Sequence, residues 1–375
     1  MGLSEAAIGA LFTFTLLGDA GISLWLTTSA DRVGRKRTLL VGAGLMIFAG
    51  VVFALTGDFV LLTVAAIIGV ISPSGNEIGP FLSIEQAALT QIAPNEQRTR
   101  VFAWYNLVGS FATATGALAG GSLAQLLQAG GSTPLDSYRA IVLGYAALGL
   151  VLAFLFSRLS PRVETSPAAQ APAVFTLGLH RSRGVVMKLS ALFALDAFAG
   201  GFIVQSLVAY WFQIRFGVEP ALLGSIFFGA NILAGISALS AARIAARVGL
   251  INTMVFTHVP SNLLLMLVPL MPNLPLAIAV LLLRFSISQM DVPTRQSYTM
   301  AVVDPDERSA ASGVTTIARS LGAAIAPSIA GALFGAALLS VPFFLAGGLK
   351  IVYDLSLYFN FRAMKPPEEK TQTAG

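Results

Sequence analysis

Ionisable residues inside long apolar segments are the side chains of this sequence best placed to do chemistry. The stretch RFSISQMDVPTRQ (284–296) holds Arg284, Asp291 and Arg295. At about 100° per residue, a continuous helix places the other two within about 20° of Arg284, on one narrow stripe. Asp291 and Arg295 are one turn apart, so we expect an ion pair with either a structural or a functional role. Pro293 between them is able to kink the helix.

Other carboxyl groups in apolar segments are candidates for binding a proton, a cation or a solute. Glu77 follows Asn76 and precedes a Gly-Pro pair (79–80), which can unwind a helix and free backbone carbonyls. Glu77 is therefore the leading candidate. Asp19 and Asp196 lie in mid-segment among small residues, where a hydrogen-bonded structural role is an equal alternative.

We expect structural roles for Lys350, Asp354 and the two histidines. Lys350 and Asp354 are one turn apart and are expected to neutralise each other. His180 is expected in a linker and His258 near the end of a segment, each isolated from other ligands. The chain has no cysteine, so disulfides and thiolate metal sites are excluded. We expect no metal and no cofactor.

The elements that must hold these groups are membrane-spanning helices. The 375 residues are 55% hydrophobic and 11% charged, with a mean hydropathy of +0.78, which is more apolar surface than one soluble core can bury. Helices are expected because a backbone in lipid must satisfy its own hydrogen bonds. We predict about eleven spans of roughly 20 residues or more, at 6–28, 38–56, 60–92, 101–128, 139–157, 185–213, 221–246, 252–270, 274–302, 310–333 and 340–361.

The cations indicate an orientation. Most of the 23 Lys and Arg residues fall in alternate connections and in the tail, which predicts that those connections and the C-terminus are cytosolic. We expect a multi-pass protein of the cell membrane. Because the cations are dispersed over separate loops, a nucleic-acid partner is not expected.

An internal repeat divides the chain into two parallel halves. The stretch beginning PNEQRTR (94–100) aligns with PDERSAAS (305–312), and SADRVG (29–34) aligns with IAARVG (244–249). We predict a bundle of five spans over 1–157, a linker over 158–184, a bundle of six spans over 185–361, and a tail over 362–375. A sixth span of the first bundle would precede residue 6, so we expect a late start codon or a truncated product.

The stretch TTSADRVGRKRTL (27–39) resembles the signature G-x-L-A-D-R-x-G-R-K-x-x-L of the major facilitator superfamily, and departs from it at Thr27 and Ser29. The resemblance implies an all-α integral membrane fold of two pseudo-symmetric helical bundles, with about eleven of the usual twelve helices here. It also implies a cytosolic gate in which Asp31 engages a neighbouring helix and the loop arginines, with anchoring of the loop as the alternative. The residues of this gating motif are Asp31, Arg32, Gly34, Arg35 and Lys36.

Two further features bear on transport. Glu85 falls opposite Arg295 in the repeat, so we predict a salt bridge between the two halves. The stretch GALAGG (116–121) is similar to the glycine motif of antiporters in this superfamily, and it keeps three of its glycines while Ala117 replaces the proline. These antiporter-like glycines are Gly116, Gly120 and Gly121.

The resemblance implies a secondary active transporter that works by alternating access between the halves. We expect proton-coupled efflux of drug-like or toxic compounds. Proton-coupled uptake of a small nutrient is the alternative, and a truncated non-transporting membrane protein is an alternative of another class. The expected partners are a small-molecule substrate, protons and the lipid bilayer, and we expect a monomer. The sequence argues against an enzyme, because no catalytic or phosphate-binding arrangement occurs in a loop with room for it.

Overall fold

The computed structural model describes residues 2–73, 81–92, 98–164, 179–304 and 307–364. Every regular element in these ranges is helical, which confirms the predicted all-α class. The α-helices are α1 (Glu5–Val33), α2 (Arg35–Leu55), α3 (Phe59–Ile68), α4 (Phe81–Ile92), α5 (Arg98–Ala129), α6 (Pro134–Ser157), α7 (Arg183–Gly201), α8 (Gln205–Phe216), α9 (Pro220–Val248), α10 (Leu250–Leu267), α11 (Leu274–Phe285), α12 (Asp291–Ala301), α13 (Arg308–Gly335) and α14 (Val341–Phe361). Short 3-10 turns lie at Pro161–Val163 and Val268–Leu270.

Nine helical segments within the described ranges are long and apolar enough to cross a membrane. Two shorter apolar helices, Phe59–Ile68 and Leu274–Phe285, stand where the third and ninth predicted spans begin. Together these segments follow the order of the eleven predicted spans. The chain is therefore a multi-pass membrane protein.

The chain forms two compact units, which we call unit 1 and unit 2. Unit 1 comprises Met1–Ala173 and Val218–Ser225, and unit 2 comprises Val174–Gly217 and Ile226–Gly375. The start of α9 thus belongs to unit 1 and the rest of it to unit 2. The boundaries that we predicted from the repeat stay a prediction.

Unit 1 packs around small and aliphatic residues of α2 and α6. Its buried core includes Leu39, Met46 and Phe156. A Cβ atom at Gly50 would lie 2.8 Å from the Cβ atom of Ala146, so these two helices approach closely at that point. Small residues permit such contacts between membrane helices, where the apolar lipid provides little hydrophobic driving force.

Unit 2 has an aromatic core. Tyr353 and Phe193 are fully buried, with ring centroids 6.4 Å apart. A second aromatic group surrounds Trp211 of α8, whose ring lies 5.0 Å from the ring of Phe343 in α14. Trp211 is 1% exposed, whereas Trp25 and Trp104 are 62% and 58% exposed. Edge-on aromatic contacts of this kind add specificity to the packing of α8 against α14.

The repeat has a structural counterpart at two tight turns. Gly34 joins α1 to α2 with φ +105°, and Gly249 joins α9 to α10 with φ +86°. Only glycine adopts such backbone angles without a steric penalty. Both glycines end the matched sequences SADRVG and IAARVG. Helices α1 and α9, which precede them, are each 29 residues long.

Three predicted spans are interrupted, which corrects the sequence prediction. The span 60–92 contains α3 and α4, the span 185–213 contains α7 and α8, and the span 274–302 contains α11 and α12. In the last case the helix stops at Phe285 and restarts at Asp291. Pro293 then lies in the first turn of α12, where its missing N–H and its ring are tolerated. The break separates Arg284 from Asp291, so the single stripe of three charges does not form.

Replacing Gly34 by alanine is expected to lower the free energy of unfolding by roughly 1–3 kcal/mol, because φ +105° strains any residue with a Cβ atom. The added Cβ atom would also lie 3.3 Å from Oε2 of Glu164. Thermal unfolding of the detergent-purified protein measures the change. Gly44→Ala is the control, since it lies within α2 with open space around it. Equal melting temperatures for the two variants would contradict the role of the turn.

Candidate functional site

A buried cluster of charged residues lies within unit 2, centred on Asp196 of α7. The Asp196 carboxylate is bound by Nζ of Lys350 at 2.5 Å, Nη1 of Arg295 at 3.1 Å and Nη1 of Arg319 at 3.2 Å. Asp196, Lys350 and Arg295 are all buried, whereas 34% of the Arg319 side chain is exposed. One carboxylate therefore joins cations from three different helices, α12, α13 and α14.

The packing of α7 against its neighbours brings these cations together. A Cβ atom at Gly322 of α13 would lie 2.4 Å from the carbonyl oxygen of Ala194 in α7. A Cβ atom at Gly201 would lie 2.5 Å from the carbonyl oxygen of Ala323. The two backbones touch, so Arg319, one turn before Gly322, reaches Asp196 without stretching. Charged groups within membrane-spanning helices are energetically costly unless they face protein or water.

The predicted pair of Asp291 and Arg295 is formed. Nη1 of Arg295 lies 2.9 Å from Oδ2 of Asp291, and both side chains are buried. The Arg295 guanidinium also lies 5.5 Å from the centre of the Phe193 ring, a cation–π contact. Arg284 lies within electrostatic reach of Asp291, although its Nε atom has no hydrogen-bond partner among the described residues.

A second buried group contains His258, for which we predicted a structural role near the end of a span. Nδ1 of His258 lies 2.8 Å from Oδ1 of Asp354, and Nδ2 of Asn262 donates to Oδ2 of Asp354 at 3.0 Å. This corrects the predicted Lys350–Asp354 pair: Lys350 binds Asp196 and Asp354 binds His258. Little in the sequence indicated these partners, because an i,i+4 spacing does not exclude ion pairs with neighbouring helices.

The gating motif is partly described. The backbone amides of Arg35 and Lys36 donate to the carboxylate of Glu164 at 2.7 and 3.2 Å. The carboxylate therefore accepts from N–H groups of the first turn of α2 that have no partner within the helix. The Arg35 guanidinium donates to Oε1 of Gln91 at 2.8 Å. Gly34 makes the turn described above. The side chains of Asp31 and Arg32 lie outside the described ones, so the predicted gate stays a prediction.

Asp19 and Glu85 of unit 1 each accept a hydrogen bond within that unit. Oδ1 of Asp19 accepts a hydrogen bond from Ser23 at 3.0 Å. Glu85 accepts one from the Tyr105 hydroxyl at 2.7 Å. It belongs to unit 1 while Arg295 belongs to unit 2, and a salt bridge between them stays a prediction. Asn76 and Glu77 lie outside the described residues.

The antiporter-like glycines have different surroundings. A Cβ atom at Gly121 would lie 2.3 Å from the carbonyl oxygen of Pro220 and 2.9 Å from the Cα atom of Gly224. Gly116 and Gly120 have nothing within 4 Å of such an atom. Of the three, only Gly121 is required for a close approach of helices.

Comparison with known proteins identifies the family. A model of the Major Facilitator Superfamily matches residues 1–327. The chain belongs to the Major Facilitator Superfamily. An uncharacterized membrane protein of Saccharomyces cerevisiae, YJR124C, is 31% identical over 387 residues, which cover 95% of this chain and 86% of the yeast protein. Members of this superfamily are transporters, and a transport function is supported for this chain.

Solved structures share the superfamily fold. A mutant of the nucleoside transporter NupG has a TM-score of 0.72 at 14% identity, covering 96% of this chain and 92% of its own. A D-xylose-proton symporter has a TM-score of 0.68 at 15% identity, with coverages of 95% and 89%. The human organic anion transporter MFSD10 has a TM-score of 0.60 at 18% identity, with coverages of 94% and 83%. At these identities the likeness concerns the fold alone.

Proposed function

We propose that this chain is a proton-coupled secondary active transporter in which Asp196 is the coupling carboxylate. The observation that carries the proposal is the convergence of three cations from three helices on one buried carboxylate. A proton on Asp196 removes the charge that these cations share, and the helices lose their common partner. Proton binding would therefore change the packing of unit 2, as alternating access requires.

The surroundings of Asp196 define what its protonation would disturb. The groups within electrostatic reach come from each helix packed around it, and all of them would respond to a change of its charge. They are Lys350, Arg295, Arg319, His258, Tyr353 and Asp354, and Arg295 in turn pairs with Asp291. The name of one structural neighbour, a proton symporter, supports protons as the coupling ion on this fold.

Two directions of transport are candidates. Efflux of drug-like or toxic compounds is favoured by the glycine pattern of α5, with the close approach at Gly121. Uptake of a small nutrient is favoured by the names of two structural neighbours, a nucleoside transporter and a D-xylose-proton symporter. In both cases we propose a monomer in the plasma membrane with a cytosolic C-terminus.

The purified full-length chain in liposomes that contain a pH-sensitive dye tests the proposal. Lipophilic cations, antibiotics, metalloids, organic acids, sugars and nucleosides are added in turn to liposomes that hold a pH gradient. We expect at least one compound to move protons in these liposomes and not in empty ones. Protons that move with the solute indicate uptake, and protons that move against it indicate efflux. Solute movement without protons would contradict proton coupling, and no movement at all would favour a non-transporting protein.

Two variants test the salt bridge proposed between Glu85 and Arg295. Glu85→Gln removes the charge and keeps an acceptor for Tyr105, whereas Tyr105→Phe removes that hydrogen bond and keeps the charge. We expect the initial transport rate to fall about tenfold in Glu85→Gln, a loss of about 1.4 kcal/mol of transition-state stabilisation, and to be retained in Tyr105→Phe. Equal rates in the two variants would contradict the bridge.

A further inference from the structure

Among the described residues, the charged groups gathered around Asp196 include one more cation than carboxylate. Four cations lie together, three bound to Asp196 and the fourth, Arg284, within reach of Asp291. Three carboxylates face them, and the two oxygens of Asp354 are already taken by His258 and Asn262. The cations are Arg284, Arg295, Arg319 and Lys350, and the carboxylates are Asp196, Asp291 and Asp354.

An excess cation inside a membrane protein calls for a partner. Ionised groups within spans are rare and are found paired or facing water. A protonated His258 would add to the positive excess and could not relieve it. Counted over the described residues, the cluster therefore has one cation in excess, and a bound solute is able to supply the missing negative charge.

Arg319 is the member of the cluster that a solute can reach. About a third of its side chain is exposed, whereas the other cations bound to Asp196 are buried. Within the described residues it makes one hydrogen bond, to Oδ2 of Asp196, and Arg295 binds the same oxygen. A guanidinium has five N–H donors, and most of those on Arg319 have no acceptor among the described residues and are available to a solute. Its exposed part would be costly in lipid and is expected to face water.

We propose that the cluster binds an anionic solute, a carboxylate, phosphate ester or sulfonate, and that Arg319 contacts its negative group. This inference rests on the proposed function and names its substrate class. The planar fork of arginine binds such groups with two parallel hydrogen bonds.

The geometry also gives the sign of coupling. The solute and the Asp196 carboxylate compete for the same cations, so a proton on Asp196 frees them for the solute. Proton and anion then bind best together, and by linkage each strengthens the binding of the other. The two are carried in the same direction, which makes the chain a co-transporter of protons and an anion.

Thermal stabilisation of the full-length chain in lipid nanodiscs tests the substrate class. The probes are benzoate, phenyl phosphate, benzenesulfonate and a set of aliphatic carboxylates, phosphate esters and sulfonates. Each anion is paired with a neutral amide or alcohol and an amine of similar size. We expect anions to raise the melting temperature and their neutral and cationic counterparts to leave it unchanged. A sulfonate keeps its charge as pH changes, so any pH dependence of its binding reports protonation of the protein, and binding should strengthen as the pH is lowered.

Variants at two arginines locate the binding. Arg319→Gln should weaken binding of the stabilising anion roughly ten- to a hundred-fold, which corresponds to the loss of a charge-assisted hydrogen bond. Arg319→Lys should restore part of it. Arg215→Gln is the control, because Arg215 is an exposed residue in the last turn of α8.

The outcomes separate this inference from the proposed function. Stabilisation by neutral or cationic probes, by no anion of the set, or by anions equally in Arg319→Gln would overturn the anion site. Proton movement with a neutral solute in liposomes would do the same and leave proton-coupled transport standing. Anion binding that depends on Arg319, without proton movement in liposomes, would support the site and contradict the proposed coupling.

Discussion

Replacing Asp196 by asparagine is expected to abolish proton-coupled transport and to lower the free energy of unfolding by roughly 3–5 kcal/mol. The carboxylate accepts from Lys350, Arg295 and Arg319 at 2.5–3.2 Å. An amide of the same shape leaves three cations without their shared counter-charge, and two of them, Lys350 and Arg295, are buried. Breaking a buried ion pair from one side costs more than removing both partners, because the remaining charge stays desolvated.

Detergent-purified protein and liposomes allow stability and transport to be measured on the same variants. Asp136→Asn is the matched control, because that side chain is 60% exposed and its only ion pair is with Arg139 at 3.7 Å, among the described residues. Its stability should fall by no more than about 1 kcal/mol, because the carboxylate lies in the first turn of α6 and asparagine keeps the acceptor for Thr133. The double variant Asp196→Asn/Lys350→Met should recover stability and not transport. An Asp196→Asn protein that is as stable as the parent and moves protons would contradict the role of the cluster.

Replacing Gly322 by alanine is expected to destabilise unit 2 by roughly 1–3 kcal/mol and to reduce transport. The new Cβ atom would lie 2.4 Å from the carbonyl oxygen of Ala194, and backbone atoms cannot yield by changing a rotamer. Helices α7 and α13 must therefore separate. Arg319 lies one turn before Gly322 and would be drawn away from Asp196.

Gly313→Ala is the control for this prediction, because it makes the same substitution in the same helix with open space around it. It should leave stability unchanged or raise it by up to about 1 kcal/mol, since alanine favours a helix over glycine. The melting temperatures and the transport rates of the two variants are compared. A Gly322→Ala protein that behaves like Gly313→Ala would show that the close approach of α7 and α13 is not needed.

Local patterns in the sequence predicted the parts of this structure that depend on local chemistry. The apolar runs predicted the order of the spans, because each run has the length that a membrane requires. The i,i+4 spacing predicted the pair of Asp291 and Arg295, which forms at 2.9 Å. The repeat of RVG (32–34 and 247–249) marked two turns that both use a glycine at positive φ.

Contacts between helices could not be predicted in the same way. Lys350 has an acid one turn away in Asp354 and binds Asp196 of another helix instead. The partner of Lys350 depends on how each helix is rotated about its axis and on the close packing that small residues allow between α7 and α13. Residue spacing along a single segment does not indicate either of these. The interruption before Asp291 was also missed, because one span was predicted across the short, largely polar stretch SISQ (286–289). Pro293 was the available signal, because a helix that continued through it would clash with the carbonyl four residues earlier.

The burial of Trp211 among aromatic residues should distinguish its fluorescence from that of the other two tryptophans. An indole that is 1% exposed and touches Phe343 should emit at shorter wavelength than Trp25 and Trp104 and should resist aqueous and lipid-borne quenchers. With Trp25→Phe and Trp104→Phe, a single fluorophore remains in a chain that has three tryptophans. Its emission would report the contact of α8 with α14 during a transport cycle, without an attached label.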